Sequence, residues 1–164
     1  MNELRSTIKE LLVKAAEAYK EADAVRYKVK CDTGKGKKET KVEAKTYAQL
    51  KDDSERFTSA LLKLSENGKH IAVIGATSYS WIVAYYGIVN GGSVAVPLDA
   101  NLPAGDLCEL IERADVTTLV YDEAKADVAA MAAKQCRNLK HVIAMEKESK
   151  VAGALSMWEL IGSA

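Results

Sequence analysis

The stretch HIAVIGATSYSWIVAYYGIVNGGSVAVPLD, residues 70–99, decides the fold. HIAVIG, 70–75, is a short apolar run that ends in Gly. SYSWIVAYYGIVNG, 78–91, is apolar on nearly every side and long enough for a buried helix. SVAVPLD, 93–99, is again apolar and β-branched. Continuous apolar runs of strand length, separated by a helix, indicate parallel strands covered on both faces. Gly91 and Gly92 are expected to end the helix and reverse the chain with positive φ. Val94 and Val96 are expected in a buried strand, and Pro97 at its last position, because Pro cannot donate to a ladder. Asp99 then falls at the carboxyl end of a parallel strand, where open α/β sheets place ligands.

The same rhythm continues downstream. PAGDLCELIERA, 103–114, has Pro at a first helical position and predicts Leu107, Leu110, Ile111 and Ala114 on one face. VTTLVYD, 116–122, reads as a strand, EAKADVAAMAAKQC, 123–136, as a helix, and LKHVIAME, 139–146, as a strand. A short helix in LSMWELIGSA, 155–164, closes the chain. Upstream, Leu4, Ile8, Leu11, Leu12, Ala15 and Tyr19 recur at spacings of three and four, which predicts an amphipathic helix from Glu3 to Asp23. Ala24–Cys31 and Glu39–Thr46 alternate around DTGKGKK, the pattern of a β-hairpin exposed on one side. Thr46 and Gln49 have capping-box spacing ahead of a second helix with Leu50, Phe57, Leu61 and Leu64 on one face. Gly68 suits the left-handed residue after its last turn. The expected class is therefore α/β: a mostly parallel sheet with helices on both faces, preceded by an amphipathic helix and a small hairpin. All 164 residues form one expected domain, divided as 1–23 helix, 24–46 hairpin and 47–164 α/β subdomain.

Composition narrows function by exclusion. Lys plus Arg and Asp plus Glu both number 23, so net charge is zero and gives no electrostatic case for nucleic acid. The one basic cluster, Lys35–Lys38, reads as a solvated turn. Cys31, Cys108 and Cys136 are too widely spaced for a zinc motif and read as free thiols in a reducing compartment. The charged N-terminus is unlike a signal peptide, and no apolar run reaches membrane-spanning length, so the expected location is the cytoplasm. Ser78, after Gly75, reads as a helix cap, since neither GxGxxG nor a P-loop is present. Tyr79, Trp81, Tyr85 and Tyr86 read as packing residues on an apolar helix, with an acyl-channel lining as the competing use. His70 and His141 lack Cys or acidic partners at ligand spacing. Asp52, Asp53 and Glu55 read as a solvated face, as do Asp106, Glu109 and Glu112. No G-x-S-x-G occurs.

Three segments together carry a resemblance: TYAQL at 46–50, residues 70–99, and LCELIERADVTTLVYDE at 107–123. In order and spacing the chain resembles the N-terminal part of the adenylate-forming (AMP-binding) synthetases and ligases. TYAQL is similar to that family's first core motif and VNGGSVAVPLD, 89–99, to its second; SYSW with VPLD is most similar to the fatty acyl-CoA synthetase branch. The resemblance implies an enzyme that uses ATP and Mg²⁺ to convert a carboxylic acid, here a fatty acid, to an acyl-adenylate, then transfers the acyl group to coenzyme A. The family's Gly-x-Pro-Lys phosphate loop has no counterpart, because Pro97 and Pro103 are the only prolines and neither precedes Lys. The chain is accordingly expected to be a truncated part of a larger enzyme. No catalytic, cofactor-binding or metal-binding residue is assigned, no turnover is expected of the chain alone, and its uncovered apolar surface is expected to drive self-association, as a dimer. The alternative is a stand-alone Rossmann-like binding or scaffolding module without catalysis.

Overall fold

The structure, a computed structural model, describes residues 7–32 and 38–164. The chain divides into two compact units, Met1–Asp52 and Asp53–Ala164. In the first, helix α1 spans Ile8–Tyr19 and opens with a capping box: Glu10 N donates to Thr7 Oγ1 while Thr7 N donates to Glu10 Oε2. The helix stops short of the expected Asp23, because extended pairing already begins there. Strands β1 (Asp23–Asp32) and β2 (Lys38–Thr46) form an antiparallel hairpin, and none of its residues with a described side chain is fully buried. The Lys35–Lys38 cluster lies mostly outside the described residues. Helix α2 (Tyr47–Lys63) starts with the expected reciprocal cap, Gln49 N to Thr46 Oγ1 and Thr46 N to Gln49 Oε1.

Helix α2 continues into the second unit at Asp53 and ends by a different device than expected. Ser65, not Gly68, is the left-handed residue after the last turn, with φ 62°. Ser65 N bonds to Leu62 O and Glu66 N to Leu61 O, the paired bonds of a Schellman motif. Gly68, with φ 67°, serves the next turn. The sheet that follows has β3 (His70–Ile74), β4 (Val94–Pro97), β5 (Val116–Tyr121), β6 (His141–Ala144) and β7 (Leu155–Ser156) in the order β4-β3-β5-β6-β7, parallel throughout. The two-residue β7 has no sequence signal of its own, and only its pairing with β6 defines it.

Helices cover both faces. Ala72, Ile74, Leu119, Tyr121, Val142 and Ala144 turn to one side and pack with α4 (Ala104–Arg113) and α5 (Ala126–Gln135), the latter entered through a 3-10 turn at Glu123–Lys125. Ile71, Val73, Val120 and Ile143 alternate to the other side and are also wholly buried. Helix α3 (Tyr79–Asn90), the second half of α2 and α6 (Met157–Gly162) are bonded together there. Thr58 Oγ1 donates to Gly87 O at 2.8 Å, Lys63 Nζ to Ser163 O, and Trp158 Nε1 to Ser80 Oγ. Gly87 is required at that crossing: a Cβ there would lie 2.6 Å from the Phe57 ring.

Two packing expectations need correction. Val94 is 48% exposed, because β4 is the edge strand, paired only with β3. On α4, Leu110 is 38% exposed and Cys108 takes the buried place beside Leu107 and Ile111. Gly91 has φ −80°, so Gly92, at +75°, makes the reversal alone.

Candidate functional site

The strand order fixes where a ligand could sit. Helix α3 carries the chain from β3 outward to β4, and α4 carries it back across β3 to β5. The helices after β3 and β5 therefore lie on opposite faces, which leaves a crevice beyond the carboxyl ends of these strands. An open cleft of about 540 Å³ occupies that place, lined by Gly75, Ala76, Thr77, Trp81, Asp99, Asp122 and Lys125 among others.

Asp122 organises it. Its backbone N bonds to Ile74 O at 3.1 Å, and its Oδ2 accepts from Ala76 N at 2.6 Å, so the loop after β3 is clamped to the end of β5. Gly75 makes the clamp possible. It has φ +148°, and a Cβ would lie 2.6 Å from Asp122 Cγ. Asp122 Oδ1 is enclosed with no hydrogen-bond partner among the described residues. Asp99 closes its own turn, with Oδ1 accepting from Asn101 N at 2.9 Å and Nδ2 at 3.0 Å. Ser78 caps α3 by accepting from Trp81 N at 3.1 Å.

Next to the cleft, the loops after β5 and β6 interlock. Glu123 N donates to Glu146 Oε2, and Lys150 N to Glu123 Oε1. Tyr121 and Ser149 hydroxyls bond at 2.6 Å. Desolvation pushes the Glu146 carboxyl above the usual carboxylate range, with the Asp122 and Glu123 charges adding to it, against two backbone N–H bonds that pull it down. The same burial raises the Tyr121 phenol.

The other sequence candidates are dispersed. Tyr79 is buried, donates to Asp53 Oδ2 at 2.7 Å and stacks on Trp158, so Asp53 is engaged by the aromatic layer rather than merely solvated. Trp81 and Tyr85 stack with ring centroids 5.7 Å apart, and Tyr86 meets Tyr85 edge-on; all three are half-buried. Only Trp81 reaches the cleft. At the opposite end of the sheet, His70 Nδ1 lies 2.6 Å from Ala114 O, while His141 Nε2 lies 3.9 Å from the buried carboxylate of Glu66, which also accepts from the Thr117 hydroxyl. Glu112 pairs with Arg137 and Glu109 with Arg113 on the outer surface. No group of three or more metal-ligating side chains occurs among the described residues. Sequence reasoning missed Asp122 as the organiser. Its signal was positional: it follows β5 directly, level with the glycine that follows β3.

Chemically the cleft is a carboxylate-lined rim, with Lys125 the one cation among its described lining residues. The Ala76 amide and the Ser78 hydroxyl are already engaged within the protein. The Asp99 and Asp122 carboxylates at this rim disfavour a polyphosphate beside them.

The family described as AMP-binding enzyme matches residues 12–159. A methyl-dioxo-octahydroindenyl-propanoyl:CoA ligase of Rhodococcus jostii is 34% identical over 76 residues, 46% of this chain and 15% of that protein. The D-alanine–D-alanyl carrier protein ligase of Listeria monocytogenes is 31% identical over 80 residues, 48% of this chain and 16% of its own. The fold superposes on the didomain of a carboxylic acid reductase from Segniliparus rugosus solved with AMP, with TM-score 0.81 and 17% identity over 98% of this chain and 27% of that one. An anthranilate CoA ligase solved with anthranoyl-AMP gives TM-score 0.80 at 16% identity over 98% of this chain and 29% of that one. The chain thus spans under a third of any of these proteins. With the match running through the hairpin, the whole parallel sheet and the first half of α6, the chain belongs to the AMP-binding enzyme family.

Proposed function

We propose that this chain is the N-terminal part of a ligase that activates a carboxylic acid with ATP and Mg²⁺ as its acyl-adenylate and transfers the acyl group to coenzyme A. The observation that carries the reading is the family match over residues 12–159, supported by similarity to one CoA ligase and one carrier-protein ligase. A fatty acid as substrate rests on the SYSW helix and the VPLD strand end, 78–81 and 96–99. The 164 residues act as one domain of that enzyme and supply scaffold rather than chemistry. The clamp of Asp122 on the β3 loop holds the crevice open at fixed geometry, and the groups that would hold triphosphate, Mg²⁺ and coenzyme A are not those of the cleft.

As partners, the remainder of the enzyme and a second copy of the chain are proposed, the latter as a dimer through the open edge of β4. Nucleic acid is not among them, in keeping with the zero net charge. No helix among the described residues is long and apolar enough to cross a membrane. A cytoplasmic location is proposed from the free-thiol reading of the cysteines and the charged N-terminus.

The test is ATP–pyrophosphate exchange with a panel of aliphatic and aromatic acids. The 164-residue chain is expected to give no exchange and no calorimetric binding of ATP, and the same chain joined to a phosphate-loop and lysine-bearing remainder is expected to exchange. Turnover or tight ATP binding by the chain alone overturns the scaffold assignment. Silence of the joined protein with every acid overturns the ligase reading.

A further inference from the structure

Two thiols outside the cleft remain unused by the proposed function. Cys108 lies on α4 and Cys136 is the residue that ends α5; both belong to the core on that face of the sheet, at 6% and 7% exposure. The Cys136 thiol lies 3.6 Å from the Cys108 carbonyl oxygen, so the two residues are in contact inside this core. We propose that Cys108 and Cys136 are a paired modification site, oxidised by a small-molecule disulfide such as oxidised glutathione to an intramolecular disulfide that ties α4 to the end of α5.

The geometry favours pairing over separate reaction. The Cys136 side chain already touches the Cys108 backbone, so closing an S–S bond requires the two side chains to turn toward each other where α4 meets the end of α5. The pair is 28 residues apart, so the bond closes a sizeable loop of the unfolded chain. In the reduced protein the pair is slow to react. Burial, then the neighbouring thiol and Glu112, push Cys136 up to about 11, and burial likewise raises Cys108. Access comes through the end of α5, where exposed Arg137 and Asn138 follow Cys136. Opening of that last turn exposes one thiol before the other.

The chemistry balances as two exchanges. Cys136 loses its proton to solvent, and its thiolate attacks one sulfur of oxidised glutathione. That S–S bond breaks, and one glutathione thiolate leaves and takes up a proton. Cys108, deprotonated in turn, attacks the Cys136 sulfur of the mixed disulfide and releases the second glutathione. The protein pair is oxidised by two electrons and loses two hydrogens; the oxidant becomes two glutathione thiols.

The experiment uses the 164-residue chain with Cys31→Ser, so that only the pair can react. After incubation with oxidised glutathione, intact mass should show loss of two hydrogens without a retained glutathione, and peptide mapping should place the bond between 108 and 136. The oxidised form should melt about 10 °C higher, as expected for a bond that closes a loop of this size. Under native conditions phenylarsine oxide, a trivalent arsenical that requires two adjacent thiols, should bind one per chain and be lost in Cys108→Ser and in Cys136→Ser. Separate glutathionylation of both cysteines, oxidation only in denaturant, or a disulfide that lowers the melting temperature would each overturn the assignment. So would the absence of arsenical binding by the folded, reduced chain.

Discussion

Strands β3 and β4 are neighbours in register, His70 beside Val94 and Val73 beside Pro97, and both are apolar in sequence. Their surroundings differ completely. Ile71, Ala72, Val73 and Ile74 of β3 have no exposed surface, with strands on both sides and helices on both faces. In β4, Val94 and Pro97 are exposed and Ala95 and Val96 only half-covered. Apolar continuity in a strand thus reports that its faces are covered, and it says nothing of its edges. Edge or centre is set by the route of α4, which returns across β3 instead of adding β5 beyond β4.

The largest expected effect tests that difference directly. Ile71→Ala should cost about 3–4 kcal/mol in urea denaturation, since a wholly buried side chain leaves a cavity among rigid neighbours. Val94→Ala should cost less than about 0.5 kcal/mol, because water already reaches that side chain. Comparable losses at both sites would break the comparison and indicate that the β4 edge is covered in solution. Val94→Lys sharpens it. The substitution should leave folding intact and abolish self-association in light scattering, because a charged edge strand resists pairing.

A second test lies one residue past β3. Gly75→Ala should lose about 3 kcal/mol, from an L-residue held at positive φ and from a Cβ driven into the Asp122 carboxylate. In an Asp122→Gly background the further cost of Gly75→Ala should fall by about 1 kcal/mol, since only the backbone strain remains. Equal costs in both backgrounds would show that Asp122 does not clamp the β3 loop.

The legibility of this chain follows the same divide. The βαβ rhythm, the hairpin, both faces of helices and the Thr46–Gln49 cap were all readable, because each depends on residues close in sequence. The exposed Val94, the exchange of Leu110 for Cys108 as the buried position on α4, and the two-residue β7 were not. Each is settled by which element lies alongside, and a periodic pattern does not encode that. For the cleft, strand-end placement pointed to Asp99, but the organising carboxylate is Asp122. Its role depends on β5 lying next to β3 although 41 residues of chain, 75–115, separate the two strands.

The α4–α5 face behind the central strands offers a titration that the edge strand lacks. Cys136 is raised from 9.0 to about 11, and Cys108 and Tyr121 are also raised, each first by burial. All three are neutral when protonated, and folding favours that form. Their contribution is therefore fully present below pH about 9 and lost as pH rises toward 11. Stability should fall by on the order of 1–2 kcal/mol over that range. Cys108→Ala combined with Cys136→Ala should flatten most of the slope, and an unchanged slope would mean that this face is open to water.

The smallest effect compares how the chain enters each strand. Before β3, α2 ends with Ser65 at φ 62°, and before β4, α3 ends with Gly92 at φ 75°. The hydrogen bonds match: Ser65 N to Leu62 O and Glu66 N to Leu61 O in one, Gly92 N to Val89 O and Ser93 N to Ile88 O in the other. One motif is therefore built twice, once with a residue that suits the left-handed region and once with one that does not. Ser65→Gly should stabilise by about 0.5–1 kcal/mol, and Gly92→Ala should destabilise by about 1 kcal/mol. Steric contact does not confuse the second, because a Cβ on Gly92 would meet only Asn67 Oδ1, at 3.7 Å. Opposite signs at the two ends, measured in the same denaturant series, would isolate backbone conformation from the packing that separates β3 from β4. A loss at Ser65 would instead reveal that its side chain contributes more than its φ costs.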